Sequence, residues 1–269
     1  MKAFRWMLTA LVILCLCASS LYVGDMYGRY YERARLMLGL SKREAASLAV
    51  RRLTRALKAR GQFEQDLWVV TRVAPGKKDG FYVDVGSADG QWLSNTKLLD
   101  ELGWRGICVD PFPKNMQRRT CQVFRQPVFS ESGKKVRFRQ AGDMGGIEAN
   151  LHSGLYTEIT GAAPSVELVT TTLDEILAAA RAPRYIDYIS LDVEGAEHAA
   201  LLGLTLERYE VGAFTIEHNF DMQKREAIRK LLEDKGYVRV QSWVVDDFYV
   251  NKRLASRFPA ADRRSSCWN

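Results

Sequence analysis

The stretch FYVDVGSADG, residues 81–90, decides the fold of the chain. Its first half, Phe81–Val85, is apolar and rich in β-formers and predicts a buried strand. Its second half holds two glycines, which allow a tight turn from a strand into a helix. Such a unit is typical of the start of a parallel α/β sheet, where ligands bind at the turn.

From Phe81 onward, short apolar runs alternate with helical stretches, as in a doubly wound parallel sheet. The further predicted strands cover residues 106–110, 122–129, 136–139, 185–191 and 213–217, and the predicted helices cover 92–102, 197–204 and 222–235. The last two runs, 237–243 and 244–251, predict a terminal antiparallel hairpin. We therefore expect an α/β domain over residues 80–252 with a mostly parallel, seven-stranded sheet, followed by a tail over 253–269.

Charge separates an N-terminal arm from the rest of the chain. The first 60 of the 269 residues hold 12 Lys+Arg against 3 Asp+Glu, and the remainder holds 27 against 29. An aromatic content of 10% and a charged content of 26% exclude a disordered chain. The basic arm has no aromatic-interleaved RNA motif, so no nucleic-acid partner is expected.

Residues 6–24 carry no charge, and as a helix they would extend roughly 28 Å, about the thickness of a bilayer core. We predict a single-pass membrane anchor over residues 1–24, preceding the α/β domain as a transmembrane helix. A cleaved signal peptide, with small residues at 18–20, is the alternative. Residues 25–79 are expected to form a basic helical stalk and linker, whose arginines and lysines favour a cytosolic domain.

The five cysteines show no paired spacing and no CxxC motif. They are therefore expected to be packing residues rather than a disulfide framework or a structural zinc site.

Candidate ligand-binding residues follow the first two strands: Asp84, Gly86, Ser87, Asp89, Gly90 and Asp110. The glycine spacing is Gly-x-x-x-Gly, which disfavours a pyrophosphate ligand. A carboxylate at Asp110 suits the ribose hydroxyls of an adenosine ligand. The alternatives are a plain turn in which Asp89 caps a helix, and a capping role for Asp110 beside Pro111.

Acidic residues follow two later strands and predict a second group at the same sheet edge. Asp192 and Glu194 follow the strongest predicted strand, and Glu217 and His218 end the next one. Clustered carboxylates favour a base with a raised pKa or a cation. We assign these four residues as catalytic candidates and assign no metal, although a divalent ion held by Asp192 and Glu217 is an alternative. A structural His218 is the other alternative.

These motifs together resemble the FkbM-family methyltransferases. The segments occur in the order seen in that family: FYVDVGSADG, GICVDPFP, VTTTLDEIL, IDYISLDVEGAEHAALLG, FTIEHN and DDFYV. The resemblance implies a class I fold that binds S-adenosylmethionine (SAM) and methylates hydroxyl groups of sugars, glycans or natural products. It also implies that Asp84, Gly86 and Asp110 belong to the SAM site and that Asp192 and Glu194 face donor and acceptor.

Two other functions share the fold. An NAD-dependent oxidoreductase would use a dinucleotide glycine spacing that this chain lacks. A non-catalytic, membrane-anchored module for binding or trafficking would bind SAM weakly or not at all.

The implied methyl donor, SAM, is made in the cytosol. This also favours an uncleaved anchor over a secreted protein.

Overall fold

The computed structural model describes residues 59–151 and 160–258. The strands are β1 Phe81–Val85, β2 Arg105–Val109, β3 Gln122–Phe124, β4 Lys135–Arg139, β5 Gly146–Ile147, β6 Ser165–Val169, β7 Tyr185–Leu191, β8 Glu210–Glu217, β9 Tyr237–Trp243 and β10 Asp246–Asn251. The α-helices are α1 Gln65–Trp68, α2 Lys97–Glu101, α3 Leu173–Ala179, α4 Glu197–Leu202 and α5 Met222–Asp234.

Seven strands form one sheet in the order β3-β2-β1-β7-β8-β10-β9. The strands from β3 to β8 in this order are parallel, and β10 is antiparallel to both of its neighbours. The predicted mostly parallel sheet with a terminal antiparallel hairpin is therefore confirmed. Successive strands move outward from β1 in one direction and from β7 in the other, so the topological switch point lies between β1 and β7.

The central strands are buried on both faces, as expected for a parallel sheet covered by helices. β7 is exposed only at its first residue, and β8 is buried from its second residue onward. Right-handed crossovers place α2 and α4 on opposite faces, because the two halves of the sheet advance in opposite directions. The core holds the carboxyl ends of these strands rigidly in register.

Three further strands form a second sheet in the order β5-β4-β6, which is not hydrogen-bonded into the main sheet. Its pairs are antiparallel. The predicted strand at 136–139 belongs to this sheet. The glycine-containing segment 142–147 forms a 3₁₀ turn and β5.

Two predicted elements are shorter in the structure. The helix predicted from residue 92 begins only at Lys97, because Leu93 has a left-handed φ of 52° and the side chains of Asn95 and Thr96 bond to strands. The strand predicted over 122–129 ends at Phe124, shortly before Pro127, which has no amide hydrogen for a sheet.

The prediction that all cysteines are packing residues is wrong for two of them. Cys108 on β2 and Cys121, just before β3, form a disulfide with a Cα–Cα distance of 5.8 Å. Cys108 pairs in register with Val123, which places Cys121 beside it on the neighbouring strand. The bridge therefore fastens the outer edge of the sheet. Cys15, Cys17 and Cys267 lie outside the described residues.

The segment before β1 packs onto the sheet. Trp68 of α1 lies edge-on to Phe248 of β10, with ring centroids 5.0 Å apart. Within residues 59–151 and 160–258, no helix has the length and apolarity needed to cross a bilayer. The predicted anchor over 1–24, the stalk up to residue 58 and the tail from residue 259 lie outside the described residues.

Candidate active site

A cavity of about 330 Å³ opens at the carboxyl edge of the sheet, at the switch point between β1 and β7. The residues that follow β1, β2, β7 and β8 line it, together with segment 142–147. Its size lies at the lower end of the range for small-molecule sites. Of the predicted site residues, Asp84, Gly86, Ser87, Asp89, Asp110, Asp192, Glu194 and Glu217 line this cavity.

Gly86 brings the turns after β1 and β7 into contact. Its φ is 88°, and a Cβ atom there would lie 1.6 Å from the carbonyl oxygen of Asp192. Its amide and that of Ser87 both donate to the carbonyl oxygen of Val109. The glycine therefore permits close packing of three strand ends, and these two amides are engaged by the protein itself.

Asp89 and Gly90 shape the same turn through hydrogen bonds within the protein. One carboxylate oxygen of Asp89 accepts from the amides of Gln91 and Trp92, and the other accepts from Asn115. The amide of Gly90 donates to the carbonyl of Lys114. Asp89 thus has the capping role considered as its alternative, although it caps a turn and not a helix.

Asp84 belongs to a buried polar network that the sequence did not reveal. Its Oδ2 accepts from Thr96 Oγ1 at 2.5 Å and lies 3.7 Å from Arg119 Nη1. Arg119 Nε also donates to Asp100 Oδ2 at 2.6 Å. Burial raises the pKa of Asp84, and the charge of Arg119 opposes that rise. This network fixes the end of β1.

Asp110 faces the cavity from the end of β2. Its Oδ2 accepts from the amide of Ala88 at 3.1 Å, and its Oδ1 accepts from the amide of Phe112 at 2.7 Å. Ser87 Oγ and Asn95 Oδ1, from two other lining residues, are buried without a hydrogen-bond partner among the described residues. Such orphaned polar atoms fit a polar ligand that supplies their partners.

Asp192, Glu194 and Glu217 form a carboxylate cluster on the opposite wall. One oxygen from each lies within 4.8 Å of the others. The amide of Asn219 bridges two of them, donating to Glu194 Oε2 at 3.1 Å and to Glu217 Oε2 at 2.6 Å. The spacing would also suit a hard divalent cation, which prefers such oxygens.

The turn that carries this cluster is held by a further carboxylate. Glu194 has a left-handed φ of 56° and is followed by Gly195 at 104°. Glu197 Oε1 accepts from the amides of Val193 and Gly195 at 3.0 and 2.9 Å. Glu197, the first residue of α4, therefore positions the acidic turn.

Burial dominates the electrostatics of the cluster. It raises the pKa of Asp192 to about 8, and the neighbouring charge of Asp246 adds to the rise. Burial and the charge of Asp192 raise the pKa of Glu217 well above its ordinary value. Both carboxyl groups therefore keep their protons to a higher pH than an ordinary acid does, because two adjacent buried acids resist ionising together. The group that ionises first is then available as a base.

A family model for the FkbM methyltransferase domain matches residues 84–239. The match spans more than half of the chain and contains both walls of the cavity. The chain belongs to the FkbM methyltransferase family. No curated protein matches it at a significant level.

The FkbM domain does not bring His218 to the cavity. Neighbouring residues of a strand point to opposite faces, so Glu217 and His218 diverge. His218 Nδ1 accepts from the amide of Phe220 at 3.1 Å, and Nε2 lies 4.0 Å from Asp247 Oδ1. Burial lowers the pKa of His218 to about 4. Its surroundings match the structural role considered as its alternative.

Sequence reasoning missed two buried residues that lie outside the matched range 84–239. Asp246, the first residue of β10, is paired in register with Glu217. Gln65 Nε2 donates to Asp246 Oδ2 at 2.5 Å across 181 residues of sequence. The antiparallel hairpin signalled that Asp246 returns to the carboxyl edge, whereas no local signal reveals Gln65.

Proposed function

We propose that this FkbM-family chain is a SAM-dependent O-methyltransferase that acts on a hydroxyl of a sugar, glycan or natural product. The observation that carries the proposal is one cavity with two different walls. One wall offers Asp110 and unpartnered polar atoms, and the other offers a pair of neighbouring carboxyl groups whose pKa values are raised.

The residues present fit SAM. Asp110 suits the ribose hydroxyls, and Asp84 adds negative charge for a cationic ligand. The orphaned Ser87 Oγ and Asn95 Oδ1 suit its polar amino-acid end. When bound, SAM supplies an electrophilic methyl group on a positively charged sulfur.

The residues of the acidic wall handle the acceptor. The ionised member of the Asp192–Glu217 pair accepts the proton of the acceptor hydroxyl, which makes the oxygen a better nucleophile. Asn219 and Glu194 hold Glu217 in place. Fixing the acceptor against the donor accounts for a large part of the expected rate gain.

The cavity is a poor site for NAD. Its lining carboxyl groups would repel a pyrophosphate, and the amides of Gly86, Ser87 and Gly90 already donate to backbone carbonyls. An acidic wall whose carboxyl groups have raised pKa values also favours catalysis over a purely binding role.

Calorimetry on the full-length chain tests the donor. SAM should bind, NAD should not, and Asp110→Ala should weaken SAM binding on the order of tenfold or more. Asp79→Ala, at an exposed position, is the matched control. Heat from NAD instead of SAM would exclude the methyltransferase proposal. Unaltered SAM affinity in a folded Asp110→Ala variant would show that the ribose assignment is wrong.

A further inference from the structure

Large exposed apolar side chains lie in the loops at the edge of the sheet where the cavity opens. Among the described residues, six exposed ones follow or precede strands at the carboxyl edge of the sheet: Trp92, Leu93, Phe112, Phe220, Met222 and Val244. We call these six the apolar rim. Trp92 is 70% exposed and Phe220 is 63% exposed. Clustered exposed apolar groups of this kind mark an interaction surface.

The rim residues share the carboxyl edge of the sheet. Its loops follow β1, β2 and β8 and precede β10. β10 begins at the edge where β8 ends, because Asp246 pairs with Glu217. Trp92 and Leu93 line the cavity itself. The entrance is therefore apolar, whereas the walls inside it carry carboxyl groups.

We propose that the apolar rim rests on a lipid bilayer and that the acceptor is a hydroxyl-bearing lipid of that bilayer. The proposal rests on the methyltransferase function proposed above and names its substrate class. A lipid has the matching division of polarity: its headgroup suits the acidic cavity, and its chains stay among apolar neighbours beside the rim.

The position where the upstream chain joins the domain supports a bilayer over other occupants. Arg60 Nη1 donates to the carbonyl of Gln91, next to Trp92 of the rim, and Gln62 lines the cavity. The uncharged stretch 6–24 precedes this point, separated by residues 25–58, which hold 9 Lys+Arg against 3 Asp+Glu. A basic segment of this kind is attracted to anionic lipid headgroups. In sequence, therefore, an uncharged stretch and a basic segment precede the point where the chain contacts the residue next to Trp92.

The proposed transfer is balanced in atoms and charge. The acceptor oxygen of the lipid forms a bond to the methyl carbon while the sulfur–carbon bond breaks. The sulfur keeps that electron pair and becomes a neutral thioether. The hydroxyl proton passes to the Asp192–Glu217 pair and then to water, leaving the lipid as a methyl ether.

Photolabelling tests the docking. The full-length chain is inserted into vesicles of phosphatidylcholine and phosphatidylglycerol that contain a diazirine lipid, and labelled peptides are mapped by mass spectrometry. We expect label at Trp92 and Phe220 as well as in residues 6–24. Label confined to 6–24 would overturn the docking, and rim-to-rim links between two chains would assign the rim to a second copy instead.

Matched variants distinguish docking by the rim from nonspecific binding of exposed apolar residues to lipid. The double variant Trp92→Asp, Phe220→Asp should lower labelling of the remaining rim peptides on the order of tenfold. Leu102→Asp with Leu202→Asp changes two exposed apolar residues at the ends of α2 and α4, away from the carboxyl edge, and should have no effect. Equal losses in both double variants would contradict a specific role for the rim.

Isotope partitioning tests the acceptor class. The chain is incubated with its native membranes and SAM that carries a tritiated methyl group, and the product is extracted with chloroform. Tritium in the organic phase supports a lipid acceptor, whereas tritium only in water-soluble or protein fractions overturns it. Calorimetry with SAM on the same preparation distinguishes the two proposals, because SAM binding without lipid product contradicts only the lipid acceptor.

Discussion

The carboxyl groups on the two walls of the cavity differ in the partners that surround them. On the wall after β1 and β2, Asp84 and Asp110 bond to a hydroxyl or to amides, and Arg119 lies near Asp84. On the wall after β7 and β8, Asp192 and Glu217 have no ion-pair partner among the described residues. The carboxyl groups of the first wall are hydrogen-bonded within the protein and suit a fixed binding surface. The carboxyl groups of the second wall have raised pKa values and no counter-charge among the described residues, which suits proton transfer.

Arg119→Met should produce the largest effect, on the satisfied wall. Loss of this fully buried cation would leave Asp84 without its counter-charge and Asp100 with only Lys97 at 4.0 Å, and breaking such a pair costs roughly 3–5 kcal/mol. Urea unfolding measures the loss. Arg118→Met, at the exposed neighbouring position, is the control, and equal stability of the two variants would contradict the importance of the network.

Gly86→Ala should separate the two walls. A left-handed alanine costs roughly 1–2 kcal/mol, and its Cβ would also collide with the carbonyl of Asp192, so the turns must move apart. We expect reduced thermal stability together with lost SAM binding. Gly133→Ala is the matched control, because that glycine has a similar φ and open space around it. SAM affinity equal to that of the control would show that contact between the walls is dispensable.

Asp192→Asn should change how stability depends on pH. Because burial raises the pKa of Asp192 to about 8, its contribution to stability is complete below about pH 4 and is lost as the pH rises through about 8. The asparagine variant should therefore lose less unfolding free energy than the wild type between about pH 5 and pH 8. Urea titrations at both values measure this, with the exposed Glu233→Gln as control. Parallel pH profiles for wild type and Asp192→Asn would argue against the buried acid.

His218→Gln should have the smallest effect on methyl transfer. Its ring nitrogens face Phe220 and Asp247 and not the cavity. Removal of a general base usually lowers the rate by on the order of 10²–10⁴-fold. Tritium transfer to native membranes should stay close to wild type in His218→Gln and fall by that factor in Glu217→Gln. The reverse pattern would make His218 the base.

Residues at strand ends were predictable, because parallel strands bring their carboxyl ends to one edge. Asp84, Asp110, Asp192 and Glu217 all reach the cavity for that reason. His218 did not, since strand residues alternate between faces, and this alternation was already visible in the sequence.

Residues that depend on distant pairing were not predictable. Arg119 lies near the end of β1 because of how the chain between β2 and β3 packs. Gln65 contacts Asp246 because the segment before β1 packs onto β10. The Cys108–Cys121 bridge likewise requires the pairing of β2 with β3.

One local signal was missed. Thr172 caps α3 by accepting a hydrogen bond from the amide of Glu175.

The disulfide between β2 and β3 connects the site to its redox surroundings. Disulfides persist in secretory, periplasmic and extracellular spaces, whereas cytosolic thiols are kept reduced. A chain that carries this bridge in the cell would have its domain in an oxidising compartment, whereas the charges after residue 24 predict a cytosolic domain. SAM from the cytosol would then need a carrier to reach the enzyme. Alkylating thiols before the cells are opened, and then mapping Cys108 and Cys121, therefore reports in which kind of compartment the domain lies.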